Sequence, residues 1–343
     1  MKAMVMKRIV DLSTVTDPLE YVDWPMPVAG EGELLVRVLT CGVCHTELDE
    51  IEGRTPPPVL PAILGHQVVG RVVGQGTEAG GIALGSRVGV AWIYSSCGTC
   101  PYCREGNENI CPNFSATGRD APGGYAEYLK VRADFAYPVP DALTDAEAAP
   151  LLCAGAIGYR SLRLARLRPG DRLGLMGFGA SAHLVLKLVR HRHPGMAVSV
   201  FARQPEERAF ALELGATWAG DIEDVAPDPL SAIIDTTPVW KTVVRALGSL
   251  APGGRLVINA IRKEETDKAE LLRLDYPRHL WKEKTIQSVA NVTRDDVREF
   301  LALAAAIPIR PEVEEYPLEE ANRALQELKF HRIRGAKVLR VGY

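Results

Sequence analysis

The stretch Cys41-Gly-Val-Cys-His-Thr-Glu47 is the segment around which the chain is organised. It places a thiol directly before an imidazole, a hydroxyl and a carboxylate, but one segment cannot complete a metal site alone. Two partners follow, His66 in Leu-Gly-His-Gln and Cys153 in Leu-Leu-Cys-Ala-Gly. Two thiolates and one imidazole leave the fourth position of a tetrahedral ion open, and this pattern is typical of a catalytic rather than a structural zinc.

The composition describes an ordinary globular protein. The 343 residues leave room for two domains, and apolar residues make up 47% and charged residues 24% of the chain. A net charge of -3 gives no support for binding to nucleic acid or to a membrane surface. No apolar run approaches the ~20 residues of a membrane span. The N-terminus lacks the long apolar core of a signal peptide, so we expect a cytoplasmic protein.

The chain up to residue 92 has a β-rich and irregular pattern. Apolar and polar residues alternate over 33–39, and this predicts a strand that leads to Cys44. A short helix is predicted over Thr46 to Glu52, ending before Gly53.

Four further cysteines lie in one loop, Cys97, Cys100, Cys103 and Cys111. Their spacing supplies four sulfurs to one ion within a single segment, which satisfies a closed tetrahedral site with no open position. The alternative is a loop of free or disulfide-bonded cysteines. In a cytoplasmic protein the x₂ spacings favour a structural zinc site.

A glycine turn follows a buried strand at 172–176 and precedes an apolar helix. The turn reads Gly177-Phe-Gly179-Ala180-Ser181-Ala182, with Ala182 in the place of a third glycine. Such a turn lets the backbone approach a pyrophosphate at the helix N-terminus. Strand and helix patterns then alternate up to about residue 290, which predicts an α/β domain with a parallel, doubly wound sheet. Helices over 294–306 and 318–328 and a strand over 336–341 complete the chain.

With these motifs in this order, the chain resembles a zinc-dependent medium-chain alcohol dehydrogenase over nearly its whole length. The resemblance rests on the 41–47 segment, Gly65-His66, the cysteines of 97–111, Cys153-Ala-Gly and Gly177-x-Gly179. It implies a GroES-like catalytic domain of residues 1–150 and 292–343 that carries both zinc ions. It also implies a Rossmann NAD(P)-binding domain of residues 151–291. Relatives of this kind are usually homodimers or homotetramers.

The resemblance assigns roles by position. Cys44, His66 and Cys153 would hold the catalytic zinc, and the four cysteines of 97–111 the structural one. Cys41 lies outside both sets and is interpreted as a small core residue.

Three further roles follow from the resemblance. His45 would lie near the coenzyme phosphates, and Thr46 would take the first step of a proton relay. Arg294 would contact the coenzyme, although a solvated charge at a helix start is nearly as good an interpretation. The remaining histidines, His183, His191, His193, His279 and His331, are interpreted as surface or structural.

The chain departs from the family pattern at three positions. Gln67 stands where many relatives have glutamate, which removes a negative charge near the metal. Glu47 replaces the usual aspartate and is expected to orient His66. Asp49 takes the place of the histidine that often ends the relay, so the proton would leave through Asp49 or through water near the coenzyme ribose.

The choice of coenzyme depends on the end of the second strand of the Rossmann domain. NAD enzymes usually have an acidic residue there that accepts a hydrogen bond from the ribose 2′-OH. Here Ala202 takes that place and Arg203 follows, which removes repulsion of a 2′-phosphate and offers a cation. NADP is therefore favoured over NAD.

The substrate would be a small or medium primary alcohol or aldehyde. Trp92 is expected to form a wall of the pocket, with Ile51 and Ile93 as apolar neighbours, although Trp92 is equally well interpreted as a core residue. Two alternatives remain open. One is a polyol or formaldehyde dehydrogenase of the same superfamily, and the other is a non-catalytic redox sensor that binds zinc and a nucleotide.

Overall fold

The computed structural model describes residues 1–307, 309–330 and 335–342. They divide into two compact units, Met1–Ala156 with Val292–Tyr343 and Ile157–Asn291. The first boundary lies six residues beyond the expected 150/151, which puts Cys153 in the first unit with the other candidate metal ligands. Within the described residues, no helix is long and apolar enough to cross a membrane.

The strands are short and are numbered in chain order. They are β1 (Lys2–Met6), β2 (Leu19–Asp23), β3 (Glu33–Val43), β4 (Ala62–Ile63), β5 (Val68–Gln75), β6 (Arg87–Val90), β7 (Ile93–Ser95), β8 (Ser115–Ala116), β9 (Tyr128–Arg132), β10 (Ala136–Pro138), β11 (Arg172–Met176), β12 (Ala197–Phe201), β13 (Trp218–Gly220), β14 (Leu230–Asp235), β15 (Leu250–Ile258), β16 (Thr285–Ser288), β17 (Val313–Pro317) and β18 (Ala336–Arg340).

The helices are numbered in the same way. They are α1 (His45–Ile51), α2 (Pro101–Arg104), α3 (Asp145–Pro150), α4 (Ala156–Ala165), α5 (Ala180–Arg192), α6 (Pro205–Glu213), α7 (Trp240–Ser249), α8 (Tyr276–His279), α9 (Arg294–Ala306) and α10 (Ala321–Phe330). A π-helical segment, Leu151–Gly155, joins α3 to α4, and 3₁₀ turns include Glu108–Ile110 and Ala133–Phe135.

The first unit is built on β3. This strand pairs with β5, β9 and β18 within one seven-stranded sheet, and smaller sheets contain β2-β1-β4 and β7-β8. Side chains of β1, β3 and β5 fill one core. Because β3 is buried along much of its length and ends at Val43, the core fixes the place where Cys44 leaves the sheet.

The second unit contains a six-stranded parallel sheet in the order β13-β12-β11-β14-β15-β16. Counted within the unit, this is 3-2-1-4-5-6, the order of a doubly wound dinucleotide-binding fold. Buried side chains form a core on each face of the sheet. The predicted α/β class and parallel sheet are confirmed.

Candidate metal centres and coenzyme site

The first candidate metal centre begins where β3 ends and α1 starts. Cys44 is the N-cap residue of α1, in an extended conformation with φ -132° and ψ 164°. Its backbone N–H donates to Glu47 Oε2 at 2.7 Å. This capping contact fixes the first turn of α1 and holds the Cys44 thiol at the start of the helix. The side chain of Thr46 lies beside the thiol, with Oγ1 3.6 Å from Cys44 Sγ.

Cys44, His66 and Cys153 are brought together by three separate segments. Their candidate ligand atoms lie within 4.8 Å of one another, and His66 Nε2 is 3.3 Å from Cys153 Sγ. Two sulfurs and one imidazole nitrogen are donors that suit zinc, and three protein ligands leave one position for a substrate oxygen. The donor set therefore fits a catalytic zinc ion.

The imidazole of His66 is oriented by Glu47. Glu47 Oε1 lies 2.6 Å from His66 Nδ1, and both side chains are fully buried. Burial disfavours the charged imidazole, but the charges of Glu47 and Cys44 outweigh it and hold the pKa of His66 well above its ordinary value. The carboxylate thus occupies Nδ1 and leaves Nε2 facing the two thiols, the arrangement that supports a histidine ligand of zinc.

The two thiols differ in their readiness to ionise. A hydrogen bond from Cys153 lowers the pKa of Cys44 well below its ordinary value, against the effect of burial, and His66 contributes in the same direction. The same hydrogen bond, together with burial, raises the pKa of Cys153. Cys44 is therefore the thiolate that the protein itself stabilises, and a thiolate is the form that binds a metal ion.

Cys153 lies on the π-helical segment between α3 and α4. The apolar pattern of Asp145 to Leu167 predicts one continuous helix, but the structure has successive α, π and α segments there. Single π-helical turns within α-helices are frequent at functional sites. Gly155, in the same segment, packs so closely on Phe300 that a Cβ atom there would lie 2.2 Å from Phe300 Cε1.

The second candidate metal centre is the four-cysteine lobe, residues 97–111. The sulfurs of Cys97, Cys100, Cys103 and Cys111 lie within 4.8 Å of one another, and all seven cysteines of the chain are free thiols. Backbone N–H groups of Thr99 and Cys100 lower the pKa of Cys97 to about 6. Four soft donors with no open position fit a structural zinc ion.

The remaining cysteine, Cys41, is fully buried beside Gly65 and Gly124. Burial raises the pKa of its thiol well above the ordinary value, so Cys41 is neither exposed nor inclined to ionise. This environment fits its interpretation as a core residue. Gln67 is also buried, at 3% exposure, with its amide oxygen against Gly42.

Asp49, the residue predicted to end the proton relay, is held by an ion pair. Arg54 Nε lies 2.5 Å from Asp49 Oδ1, and Asp49 is 6% exposed. The carboxylate of Asp49 is therefore already engaged by a guanidinium. His45, by contrast, is exposed at the first residue of α1.

Glu50 was missed in the sequence. It is 1% exposed, and neither of its carboxyl oxygens has a hydrogen-bond partner among the described residues. Burial raises its pKa well above the ordinary value, and the charge of Glu47 acts in the same direction, while His66 and Arg119 oppose it. Its position four residues after Thr46, on the same face of α1, was the available signal.

The predicted pocket residues fall into two groups. Trp92 is half-buried, with its ring 5.3 Å from that of Phe114 and the guanidinium of Arg119 5.9 Å from its centroid. Ile51 and Ile93 are only 0% and 2% exposed and belong to the core of the first unit. Side chains so deeply packed expose almost no surface, so the place of Ile51 and Ile93 beside the substrate stays a prediction.

The predicted phosphate-binding turn lies between β11 and α5 in the second unit. Gly177 has φ +81°, a conformation that favours glycine, and a Cβ atom there would lie 2.9 Å from Thr236 and Thr237. Gly179 is the N-cap residue of the 13-residue helix α5, and Ala180 and Ser181 form its first turn. A helix N-terminus at this place is suited to bind a pyrophosphate.

The end of β12 carries the residues expected to discriminate between coenzymes. Ala202 is fully buried, and Arg203 is exposed. Arg208, which no sequence motif indicates, also lies here. Its Nη1 donates to the carbonyl oxygens of Ala202 and Arg203 at 2.8 and 2.9 Å and lies 3.3 Å from Asp221 Oδ2. Two arginines therefore lie near the place where an NAD-specific enzyme usually has an acid.

A buried ionic network at the end of β14 was also overlooked. Lys263 Nζ donates to Asp235 Oδ2 at 2.6 Å and to the carbonyl oxygens of Thr237 and Val239 at 2.8 and 3.1 Å. Asp235 also accepts from the Thr237 backbone N–H and from Thr242 Oγ1. The network joins the segments after β14 and β15, next to the residues that Gly177 contacts.

Arg294 has partners within the first unit. Its backbone N–H and its Nε both donate to Glu108 Oε1, at 2.6 and 3.2 Å, and its Nη1 donates to Asp134 Oδ2 at 3.2 Å. Its guanidinium also lies 5.1 Å from the ring of Phe135. Arg294 is therefore paired with two carboxylates while its side chain remains 27% exposed, so it is not a fully solvated charge. Its contact with the coenzyme stays a prediction.

Among the described residues, the other histidines do not belong to either group of candidate metal ligands. His183 and His279 are buried in the second unit, and His191 and His193 are exposed at the end of α5. His331 lies outside the described residues.

Comparisons with known proteins agree with this geometry. The family model of the alcohol dehydrogenase GroES-like domain matches residues 30–141, and that of the zinc-binding dehydrogenases matches residues 183–306. The probable alcohol dehydrogenase AdhA of Mycobacterium tuberculosis is 45% identical over 329 residues, 94% of this chain and 93% of that protein.

Two further relatives extend the comparison. An alcohol dehydrogenase of Geobacillus stearothermophilus is 35% identical over 94% of this chain and 96% of its own length. The structure of a cinnamyl alcohol dehydrogenase from Sorghum bicolor superposes with a TM-score of 0.85 at 28% identity, covering 99% of this chain and 97% of that one. The chain belongs to the zinc-dependent medium-chain alcohol dehydrogenases, with a GroES-like and a Rossmann domain, and is an oxidoreductase that acts on alcohols.

Proposed function

We propose that this alcohol dehydrogenase holds two zinc ions per chain, interconverts small or medium primary alcohols and their aldehydes, and prefers NADP to NAD. The observation that carries the proposal is the convergence of Cys44, His66 and Cys153, with the hydroxyl of Thr46 3.6 Å from Cys44 Sγ. A sensor that does not turn over a substrate has no need of an open ligand position with a hydroxyl beside it.

Each residue of the centre has a proposed task. Zinc, when bound, supplies a Lewis acid that polarises an alcohol oxygen, and NADP supplies the hydride acceptor. Thr46 accepts the alcohol proton in a hydrogen bond, and Glu47 holds His66 in the orientation that a ligand needs. Because Arg54 already binds Asp49, we favour release of the proton through water over release through Asp49.

The coenzyme is assigned to the second unit. The backbone at Gly177 and Gly179 and the first turn of α5, Ala180 and Ser181, would hold the pyrophosphate. The exposed Arg203, with Ala202 in place of an acid, would pair with a 2′-phosphate. His45 keeps its proposed role as a contact to the coenzyme phosphates, on the ground that it is exposed.

The substrate is expected to be apolar and of modest size. Trp92 is partly exposed and packs against Phe114, so it offers an aromatic face in the first unit. A polyol would need several polar partners on such a face, which makes a polyol the less suitable substrate.

The protein is proposed to form a homodimer or homotetramer. β16 lies at the edge of the parallel sheet, and all four of its residues are exposed. Trp281 and Ile286 nearby are 56% and 45% exposed. An unpaired edge with apolar side chains is a surface on which a second copy can pair. Light scattering that returned the 37.3 kDa of one chain would contradict this assignment.

A cytoplasmic location is also proposed. All seven cysteines are free thiols, and six of them are arranged as metal ligands, four in one group and two together with His66 in the other. Free thiols in such groups suit a reducing compartment. Recovery of the native protein from an oxidising compartment, with these thiols in disulfides, would contradict it.

The test is an assay of the purified protein on a panel of primary aldehydes that includes formaldehyde, with NADPH and NADH in parallel. A polyol is assayed in the opposite direction, with NADP⁺ and NAD⁺. We expect turnover that a zinc chelator removes, and a higher kcat/KM for NADPH. Arg203→Gln should lower kcat/KM for NADPH about tenfold and leave that for NADH nearly unchanged, since it removes one charged contact to the phosphate. Arg192→Gln, an exposed arginine at the end of α5, is the control.

Equal kcat/KM values for the two coenzymes, unaffected by Arg203→Gln, would contradict the assignment of NADP. Turnover confined to formaldehyde or to a polyol would contradict the proposed substrate class.

A further inference from the structure

The N-terminus of α9 is joined to the four-cysteine lobe by a buried carboxylate. Glu108 lies in the 3₁₀ turn between Cys103 and Cys111 and is 2% exposed. Its Oε1 accepts hydrogen bonds from the backbone N–H and from Nε of Arg294, the first residue of α9, at 2.6 and 3.2 Å. A carboxylate at the N-terminus of a 13-residue helix also interacts favourably with the helix dipole.

The guanidinium of Arg294 is fixed on its other sides too. Nη1 contacts Asp134 Oδ2 at 3.2 Å, and the cation lies 5.1 Å from the ring centroid of Phe135. Both residues belong to the 3₁₀ turn that precedes β10. The start of α9 is therefore tied to the lobe and to the sheet of the first unit, and it has little freedom to shift.

Further along, α9 packs on the segment that carries a metal ligand. Phe300 is 1% exposed, and its ring lies where a side chain at residue 155 would be, 2.2 Å (Cε1) and 3.0 Å (Cζ) from the Cβ position of Gly155. Phe300 is six residues after Arg294, about 9 Å along the helix axis. Cys153 precedes Gly155 by two residues on the same π-helical segment.

We propose that Glu108 and Arg294 are positioning residues for the catalytic metal, because they hold α9 so that Phe300 fixes the π-helical segment at Cys153. The four-cysteine lobe then has a task beyond its own stability, since it keeps a ligand of the other centre in place. The inference rests on the proposed assignment of metal ions to the two centres.

The test follows Co²⁺ placed at Cys44, His66 and Cys153 in protein that keeps zinc in the lobe. Glu108→Gln preserves the shape of the side chain and removes its charge. We expect the variant to release Co²⁺ to a chelator about tenfold faster than the unmodified protein, in line with the effect of removing residues that support metal ligands. The visible absorption bands of Co²⁺ should shift, because the position of Cys153 changes.

Two further variants make the result specific. Arg298→Gln is the control, since Arg298 lies on the same helix and forms an exposed pair with Asp295 at 3.2 Å; its Co²⁺ release should match the unmodified protein. Phe300→Leu leaves the Glu108–Arg294 pair intact and loosens the packing on Gly155, so it should also speed release. If Glu108→Gln does not fold, the Co²⁺ release rate of Phe300→Leu tests the inference in its place.

The inference is overturned if Glu108→Gln and Phe300→Leu lower the melting temperature but leave the Co²⁺ release rate and spectrum unchanged. Failure of the unmodified protein to bind a second metal ion at Cys44, His66 and Cys153 would instead contradict the proposed function, and this inference with it.

Discussion

The side chains around His66 show how much of the chemistry depends on single contacts. One imidazole nitrogen is held by Glu47 at 2.6 Å, and the other faces the thiols of Cys44 and Cys153. The longer arm of glutamate, where relatives usually have aspartate, still reaches Nδ1. The same carboxylate caps α1 through its second oxygen, so one residue sets both the start of the helix and the orientation of a ligand.

Glu50 is expected to make stability depend on pH. Its pKa is raised by burial and by the charge of Glu47, so the folded state binds its proton more tightly than the unfolded state does. The stabilisation is complete below the ordinary pKa of a glutamate and is lost as the pH rises toward the folded-state value. Glu50→Gln has no charge to bury at high pH, so this loss of stability does not occur in the variant. Its free energy of unfolding at pH 8.5 should be about 1–3 kcal/mol higher than that of the unmodified protein.

The control for Glu50 is its neighbour Glu52. Hydrogen bonds from Lys329 and Arg54 lower the pKa of Glu52 in spite of its partial burial, so its stabilisation is present above the ordinary pKa and is lost only in acid. Glu52→Gln should therefore destabilise the protein at pH 8.5. Denaturant unfolding between pH 5.5 and 8.5 measures the free energy of unfolding of both variants. Equal destabilisation by Glu50→Gln and Glu52→Gln would contradict this account of Glu50.

At the scale of elements, two irregular features serve the candidate sites. The π-helical segment Leu151–Gly155 interrupts a helix and carries Cys153, and the glycine turn before α5 brings Gly177 against Thr236 and Thr237. The Asp235–Lys263 network fixes the backbone just after those threonines. The edge of the sheet proposed to bind the coenzyme is therefore held by the buried Lys263 as well as by the turn at Gly177.

Lys263→Gln should weaken coenzyme binding. A neutral amide cannot replace an ammonium group that donates to Asp235 and to two carbonyl oxygens, so the segments after β14 and β15 lose their common anchor. We expect the Kd for the coenzyme to rise about tenfold, equivalent to about 1.4 kcal/mol, with the metal content unchanged. Titration of the nucleotide fluorescence measures the Kd.

Lys268→Gln is the matched control, because Lys268 forms an exposed pair with Glu265 at 2.9 Å. A Kd unchanged by Lys263→Gln, with only the melting temperature lowered, would contradict a positioning role for the network.

On the scale of the whole molecule, the candidate metal ligands and the candidate coenzyme-binding residues belong to different units of the chain. The candidate ligands of both metal ions lie in the first unit, although Cys153 is 87 residues beyond His66. The glycine turn, Ala202 and Arg203 lie in the second unit. Cysteine spacing, the glycine turn and the alternation of strands and helices are local patterns, so the sequence predicts two domains. It places the boundary at 150/151, however, and so assigns Cys153 to the coenzyme domain, whereas Cys153 lies in the first unit.

Features that depend on packing could not be predicted in the same way. The burial of Ile51 and Ile93 and the pairing of Arg294 with Glu108 involve residues far apart in the chain, with nothing nearby in the sequence to indicate them. The π-helical segment was hidden because its residues continue a helical apolar pattern. Glu50 gave a weak signal, since a carboxylate in a short helix is usually exposed.

The central claim is that the chain holds two zinc ions with separate roles. It is tested most directly by measuring zinc content, turnover and melting temperature for three purified proteins: the unmodified chain, Cys44→Ser and Cys100→Ser. We expect two zinc ions per chain in the unmodified protein. Cys44→Ser should lose one zinc and all turnover while its melting temperature stays nearly unchanged, because its site is open and catalytic. Cys100→Ser should lose the other zinc and mainly stability. Equal loss of folding in both variants, or full turnover by Cys44→Ser, would contradict two zinc centres with separate roles.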